Sequence, residues 1–359
     1  MIILFSVIKL KDYIKTANIV KIGLLLLLKV ISERNMSSPM LTPVSLLITI
    51  VVMVILSSIS IEGIASSSPS FSNFNFAAVG DWACTSDTTD TVNNIIDKSP
   101  ELVLGLGDYS YEDTADCWLD IIQPIDNIMK ISIGNHEVQE ESILAEYMNR
   151  FGLTKQYYSF DYQNVHFIAL GTESEYLDMS KDKAKEQLAF VKSDLEQASA
   201  NPNIKWIIPF FHRMMYYEEH ESCSIVGEHD NSLVDIYHLL FEKYGVHLVL
   251  QAHSHTYERT YPLKANAENS SEDPIVTSKD SSNYPSIDGL VIATVGTGGR
   301  SSCQYVHTDP KLAPIQYEDL FGFLDVDVSS DGRKLVGTFY DNDGGGGEIK
   351  DKFTITTQK

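Results

Sequence analysis

Three features of the sequence predict a mixed α/β fold in which one mixed sheet packs on a second. From residue 74 onward, short β-branched and aromatic runs alternate with amphipathic segments of helical period. The early runs end in Gly followed by a polar cluster, as buried strands of an α/β sheet do. The alternation then stops, and from Val291 on strands follow one another with turns between them and no helix.

The elements follow in order. Phe76–Val79, Leu102–Leu106 and Ile131–Ile133 are apolar throughout and read as buried strands. Tyr157–Tyr162 and Val165–Leu170 form a hairpin. Lys181–Ala200 is helical, because Leu188, Val191 and Leu195 recur on one face. Ile204–Phe210 is a strand, Asn231–Tyr244 a helix stopped by Gly245, and Val246–Gln251 the next strand. The polar, serine-rich stretch Lys264–Asp288 is expected to be a surface excursion. Val291–Val295, Phe323–Val328, Leu335–Tyr340 and Phe353–Thr356 close the chain, joined by turns such as Ser330-Asp331-Gly332 and Asp343-Gly344. No internal repeat of fixed period occurs.

Composition limits what such a body does. Of 359 residues, 43% are hydrophobic and 21% charged, which supports a packed core and excludes a disordered or collagen-like chain. A net charge of −22 leaves no extended basic surface to neutralise a nucleic-acid backbone, so nucleic acid is excluded as a partner. The charge is uneven, however, since the first 65 residues are net basic. Within them Ile22–Leu28 is too short to cross a hydrocarbon core of roughly 30 Å. Val44–Ile61 carries no charge and fits a signal-peptide core or a single membrane span. Every basic residue of the leader precedes that run, so the positive-inside rule places the body outside, secreted or membrane-anchored. The expected organisation is a membrane-contacting leader over residues 1–65, a linker over 66–73 and one folded domain over 74–359. Cys84, Cys117, Cys223 and Cys303 are an even number in a chain read as exported, which allows two disulfides in three connectivities. The absence of a CxxC pair argues against a thiolate zinc site.

In open α/β sheets ligands bind beyond the carboxyl ends of the strands. Asp81 follows the first strand, Asp108 and Tyr111 the second, Asn135 and His136 the third; His212 follows Ile204–Phe210, and His253 and His255 follow Val246–Gln251. Singly these residues are ordinary: Gly-Asp makes turns, Asn135 caps helices, and Tyr111 beside Tyr109 packs in a core. Together they are two carboxylates, a phenol, an amide and three imidazoles at five successive strand ends, with His136 to spare. That is more than one ion needs, and it suits two ions about 3.5–4 Å apart sharing a carboxylate, the clamp used on phosphoesters. His253 and His255 are two apart in an extended segment, so both leave on the same face and each can meet a different ion.

The blocks Gly80-Asp81-Trp82-Ala83, Gly107-Asp108-Tyr109-Ser110-Tyr111, Gly134-Asn135-His136-Glu137, Pro209-Phe210-Phe211-His212 and Ala252-His253-Ser254-His255 resemble, in content and order, the motifs of the calcineurin-like metallophosphoesterases. Tyr111 and the continuation Thr256-Tyr257-Glu258-Arg259 are similar to the purple acid phosphatases within them, in the short single-domain form. The resemblance covers roughly residues 74–356. Ala83, Pro209 and Ala252 depart from the family's Gly, Val and Gly, all at backbone or supporting positions.

This resemblance implies a four-layer α/β/β/α sandwich of two mixed β-sheets over the catalytic domain 74–359. It implies a ferric site of Asp81, Tyr111, His255 and bridging Asp108, and a divalent site (Fe, Zn or Mn) of Asp108, Asn135, His212 and His253. It also implies acid phosphatase activity on small phosphate monoesters, by attack of a metal-bound hydroxide. His136 would stabilise charge or act as general acid, and His220 would assist from the loop after His212. A phosphodiesterase or nucleotidase on the same ions is the alternative; a catalytically silent binding module would have lost a ligand or His136, and none is missing. On the same fold Cys84 pairs with Cys117 and Cys223 with Cys303, and Gly296-Thr297-Gly298-Gly299 makes a tight turn at the rim. Three anionic ligands and a hydroxide against a trivalent and a divalent ion leave such a site about +1, so an acidic protein can still take an anionic substrate.

Overall fold

A computed structural model describes residues 71–216, 232–266, 274–285, 289–303 and 311–357. The expected leader, most of the linker, His220 and Cys223 lie outside the described residues. Among the described residues no helix is long and apolar enough to cross a membrane.

Two seven-stranded mixed sheets make the body. The first is built from β1 (Phe74–Val79), β2 (Leu102–Gly105) and β3 (Met129–Ile131), which run parallel. β14 (Gly322–Val328), β15 (Lys334–Asp341) and β16 (Glu348–Thr356) extend it antiparallel from β1. The second has the parallel strands β5 (Val165–Ala169), β6 (Trp206–Phe210), β7 (Leu248–Gln251) and β12 (Val291–Val295) at its centre. β4 (Tyr158–Tyr162) edges one side as the predicted hairpin partner of β5. β8 (Tyr257–Arg259) and then β13 (Ile315–Tyr317) edge the other. The observed bounds follow the expected ones closely for most strands.

Side-chain alternation shows how the layers bury themselves. Trp206, Ile208 and Phe210 of β6 join the core between the sheets, while Ile207 of the same strand joins a second core under the helices. β7 divides likewise, Leu248 and Leu250 inward and Val249 outward. The inner core is aromatic across the sheets: Phe76 meets Phe167 edge to face, and Tyr257 stacks on Phe339 at 4.0 Å. The outer core takes Val191, Leu195 and Ala198 of the long helix Asp182–Ala200, as its apolar period predicts. On the first sheet, helix α1 (Ser86–Lys98) starts at Thr85, whose hydroxyl accepts from the Thr88 N–H, and buries Val92 and Ile95. α2 (Asp116–Ile122) and α3 (Glu141–Arg150) bury Trp118 and Tyr147 beside it.

Two expectations need correction and one is refined. The third strand lies at Met129–Ile131 instead of Ile131–Ile133, because β3 is an edge strand that turns Lys130 outward between two buried neighbours. That polar residue hides the strand from a search for continuous apolar runs. The expected helix over 231–244 is present from Ser232 to Tyr244, with a π turn at Val234–His238 within it, and Gly245 (φ 73°) ends it with a paired reverse cap, Val246 N–H to Phe241 O and Gly245 N–H to Glu242 O. The stretch 264–288 is more than a surface excursion. At its start β9 (Leu263–Lys264) pairs antiparallel with β10 (Ile275–Val276), then β11 (Asn283–Pro285) adds to the first sheet in parallel with β16, and Tyr284 is buried against Arg259.

Candidate metal centre

The carboxyl ends of β1, β2 and β3 in one sheet and of β6 and β7 in the other open onto the same place. Sheet-to-sheet backbone bonds fix that meeting: Gly80 N–H donates to Val295 O and Gly298 N–H to Gly80 O, at 2.8 and 2.9 Å. A Cβ on Gly80 would lie 2.7 Å from the Ala252 Cβ, so only glycine fits between the two ligand loops.

The seven expected ligands come together here. The Tyr111 hydroxyl donates to Asp81 Oδ1 at 2.9 Å and lies 3.3 Å from Asp108 Oδ2 and 3.0 Å from His255 Nε2. On the other side of Asp108, His212 Nε2 lies 3.3 Å from Asp108 Oδ2, 3.0 Å from Asn135 Oδ1 and 3.0 Å from His253 Nδ1. Asp108 therefore stands between the two groups of residues.

The chemistry of these donors fits cations. The second ring nitrogen of His212 is bonded to the Leu106 carbonyl at 2.9 Å, and that of His255 to the Ser301 carbonyl at 2.9 Å. A carbonyl accepts only, so each Nδ1 carries a proton and each Nε2 faces inward as the atom whose lone pair a cation can take, as in histidine ligands generally. Those atoms face carboxylate, amide and phenol oxygens, and only a positive charge satisfies such a set. In the metal-free protein a second proton on His212 Nε2 supplies that charge, and a bound ion would displace it. Burial opposes charge on His212, yet Asp108 and then Asp81 push its pKa up to about 10. Burial likewise opposes charge on Asp108, but His212 holds its carboxyl below the usual range. Burial, reinforced by Asp81 and Asp108, raises Tyr111 well above the ordinary phenol, so a phenolate here requires a strong cation beside it.

The backbone is bent to deliver these side chains. Asp81 (φ 55°), Asp108 (53°), Tyr111 (57°), His253 (79°) and His255 (49°) all occupy the left-handed region that non-glycine residues avoid, as does Ala83 (80°). Strain of this kind costs about 1–3 kcal/mol per residue and persists only where neighbours impose it. Here Trp82 N–H bonds to Asp108 O, Ala83 N–H to Tyr109 O, and His253 N–H to Asp81 Oδ2 at 2.7 Å. The Cys84–Cys117 disulfide, expected from the resemblance, ties the loop after β1 to the start of α2. Cys303 is also disulfide-bonded; the Cys223 side of the expected pair lies outside the described residues.

His136 sits at the rim with its ring 4.2 Å from that of Tyr111 and Nε2 3.9 Å from Asp108 Oδ2. Two contributors were not assigned roles from the sequence. Glu137 is buried, and its carboxylate accepts from the N–H groups of Asp108, Tyr109 and Gly134 at 2.9, 2.8 and 2.8 Å, locking the second ligand loop to the third. Its place in the Gly-Asn-His-Glu block was the available signal. Arg300 stacks over the Tyr111 ring at 4.5 Å, and 189 residues of separation left no signal for it.

The departures have visible effects. Pro209 cannot donate to a ladder, and β6 and β7 register only at Phe210 and Leu250 before His212 leaves the sheet.

Known proteins resemble the chain over this region. Among curated sequences, purple acid phosphatase 15 of Arabidopsis thaliana is 28% identical over 240 residues, covering 54% of this chain and 42% of that protein. Human acid phosphatase type 7 is 32% identical over 187 residues, covering 45% of this chain and 41% of its own length. The chain thus spans about two fifths of the length of these relatives. The purple acid phosphatase PPD1 from yellow lupin (Lupinus luteus) seeds shares the fold, with a TM-score of 0.65 at 22% identity, over 80% of this chain and 54% of that one. The family described as calcineurin-like phosphoesterase matches residues 74–257, half of the chain and every one of the seven clustered side chains. The chain belongs to the calcineurin-like phosphoesterase family.

Proposed function

We propose that the protein is an exported phosphatase that hydrolyses phosphate monoesters at a dinuclear centre, as the names of its relatives suggest. One observation carries the reading: the inward Nε2 atoms of His212 and His255 converge with Asp81, Asp108, Tyr111 and Asn135 on one buried spot. Asp81, Tyr111, His255 and Asp108 would hold the trivalent ion, and Asp108, Asn135, His212 and His253 the divalent one. When bound, such a pair supplies Lewis acidity toward phosphoryl oxygen and acidifies water.

The chain's own residues bind, orient and protonate. Gln139 Nε2 lies 3.2 Å from His136 Nδ1, so the ring proton resides on Nε2, which faces the site. Burial first of all keeps the pKa of His136 below the ordinary imidazole value, so it acts as a neutral donor to a phosphoryl or leaving-group oxygen. The 2.9 Å bond from the His136 N–H to Asp108 Oδ1 fixes its position against the bridging carboxylate. Export is supported by the Cys84–Cys117 disulfide and the lack of free cysteines among the described residues.

The test combines metal analysis, the visible spectrum and activity of the purified protein on p-nitrophenyl phosphate and its bis ester. A visible band lost in Tyr111→Phe, with monoester turnover abolished in Asp108→Ala, is the expected result. A preference for the diester would replace the monoester assignment, and full activity of Asp108→Ala would overturn the bridged centre.

A further inference from the structure

The segment after β12 is wedged into the centre. A Cβ on Gly296 would meet Asp81 Oδ2 at 2.6 Å and one on Gly298 the Gly80 carbonyl at 2.7 Å, so the chain passes the ligands as closely as backbone can. Arg300 is the first long side chain beyond this passage. Its N–H donates to the Asp81 carbonyl at 2.9 Å, and the next carbonyl, of Ser301, accepts from His255 Nδ1. Arg300 is therefore held at both sides by residues of the centre, and its guanidinium lies 4.5 Å from the Tyr111 ring centroid, the ring that His136 also contacts.

Two properties set this arginine apart. Its side chain is exposed, and among the described residues its guanidinium makes no hydrogen bond or ion pair, in a protein of net charge −22. Five N–H donors in a rigid planar fork are thus presented beside the centre. Stacking on Tyr111 restricts the fork without using any of those donors. Such a group recognises a planar or tetrahedral oxyanion, and the ligand cluster already accounts for the scissile phosphate.

We propose that Arg300 is a specificity-determining residue that binds a second anionic group, a carboxylate or a further phosphate, carried on the leaving group of the substrate. This rests on the phosphatase reading above. The preferred substrates are then phosphate esters or anhydrides with a second anion next to the scissile bond, in preference to esters of neutral alcohols.

The experiment compares wild type, Arg300→Met and Arg300→Lys on phenyl phosphate, which has no second anion, 2-phosphoglycolate, with a carboxylate, and pyrophosphate, with a phosphate. Losing a bidentate, charge-assisted contact is worth about tenfold or more. Arg300→Met should therefore lower kcat/KM for 2-phosphoglycolate or pyrophosphate, relative to phenyl phosphate, by about tenfold, chiefly through KM. Arg300→Lys, which keeps the charge and loses the fork, should fall between. The substrate whose ratio changes identifies the second anion. An equal change on all three substrates, or none, overturns the proposal. Calorimetric titration of the metal-loaded proteins with methylenediphosphonate and phosphonoacetate, whose P–C bonds are not hydrolysed, and with inorganic phosphate gives a readout independent of turnover: Arg300→Met should weaken the analogue that carries the second anion about tenfold more than phosphate, and equal weakening of all three counts against it. A wild type inert toward all three substrates would sink the phosphatase reading, while the titration still decides the role of Arg300.

Discussion

Glu137→Ala should be among the most damaging single changes in the protein, although Glu137 touches no substrate. Its carboxylate accepts three backbone N–H groups, those of Asp108, Tyr109 and Gly134, at 2.8–2.9 Å and out of contact with solvent. Burial and then Asp108 raise the pKa of its carboxyl to about 8, so at a higher pH these are hydrogen bonds to a charged acceptor, worth about 1.5–3 kcal/mol each, and a buried donor left unpaired costs about 1–3 kcal/mol. Allowing for relaxation of the loops, alanine should cost about 3–5 kcal/mol. Glutamine keeps one acceptor oxygen. Placed where Oε2 now lies, it still serves Asp108 and Gly134 and loses only Tyr109, so Glu137→Gln should cost about 1–3 kcal/mol. Urea unfolding of the metal-free proteins, followed by tryptophan fluorescence, measures both. Because the bonded amides belong to the loops of Asp108 and Asn135, metal affinity measured against a chelator should fall about 10- to 100-fold in the alanine variant. An alanine variant within about 1 kcal/mol of wild type, or a glutamine variant as damaged as the alanine one, would show that the carboxylate does not hold these loops.

Three further outcomes are expected. Asp351→Ala leaves the fully buried Arg259 without the carboxylate that takes its Nε and Nη2 and the Tyr257 hydroxyl, and should cost about 3–5 kcal/mol. The double variant Arg259→Met/Asp351→Leu should recover most of that loss, and additivity in a denaturation cycle would contradict the pairing. Ala83→Gly removes a Cβ at φ 80° and should raise stability by up to about 1 kcal/mol after glycine's entropy is counted, so a clear loss in thermal unfolding would refute strain at that site. His166 is bound through Nδ1 to Asp161 and through Nε2 to Asp194, at 2.6 and 2.8 Å. Burial lowers its pKa, but Asp194 and then Asp161 outweigh that and raise it above the ordinary imidazole value. Its contribution to stability should then be complete below about pH 6.5 and vanish as pH rises through the higher folded value. The stability difference between wild type and His166→Gln, measured at about pH 5.5 and pH 9, should shrink at the higher pH; growth would reverse the sign of the argument.

The legible part of the site was the part carried by local chemistry. Asp81, Asp108, Tyr111, Asn135, His212, His253 and His255 announce themselves because each directly follows a buried apolar strand, and the parallel topology carries them all to one end. Glu137 was visible as a letter and invisible as a function, since its partners are backbone amides that no side chain reveals. Arg300 and Ser301 reach the centre only because β12 lies parallel to β7 in the second sheet, a long-range fact outside any local window. In the fold, β3 was misplaced by two residues because its edge position permits Lys130 to point outward. β11 was missed because its one buried side chain, Tyr284, stands between exposed Asn283 and Pro285, and its partner Arg259 lies 25 residues away.

The sheet order leaves β3 and β4 as edges, and the side chains there bear on whether copies of the chain can polymerise. A free strand edge invites another chain to continue the ladder. Here the Tyr158 hydroxyl already occupies the Ile131 carbonyl at 2.8 Å, and Lys130 reaches from β3 toward the Phe160 ring of β4, 5.7 Å away. An incoming strand would have to displace that hydroxyl from β3 and then lie against exposed Lys130, or add to β4 beside exposed Asp161. The two sheets are thus laced across their seam by tyrosine and lysine. The lacing that bridges these two edges also denies them to self-templated growth.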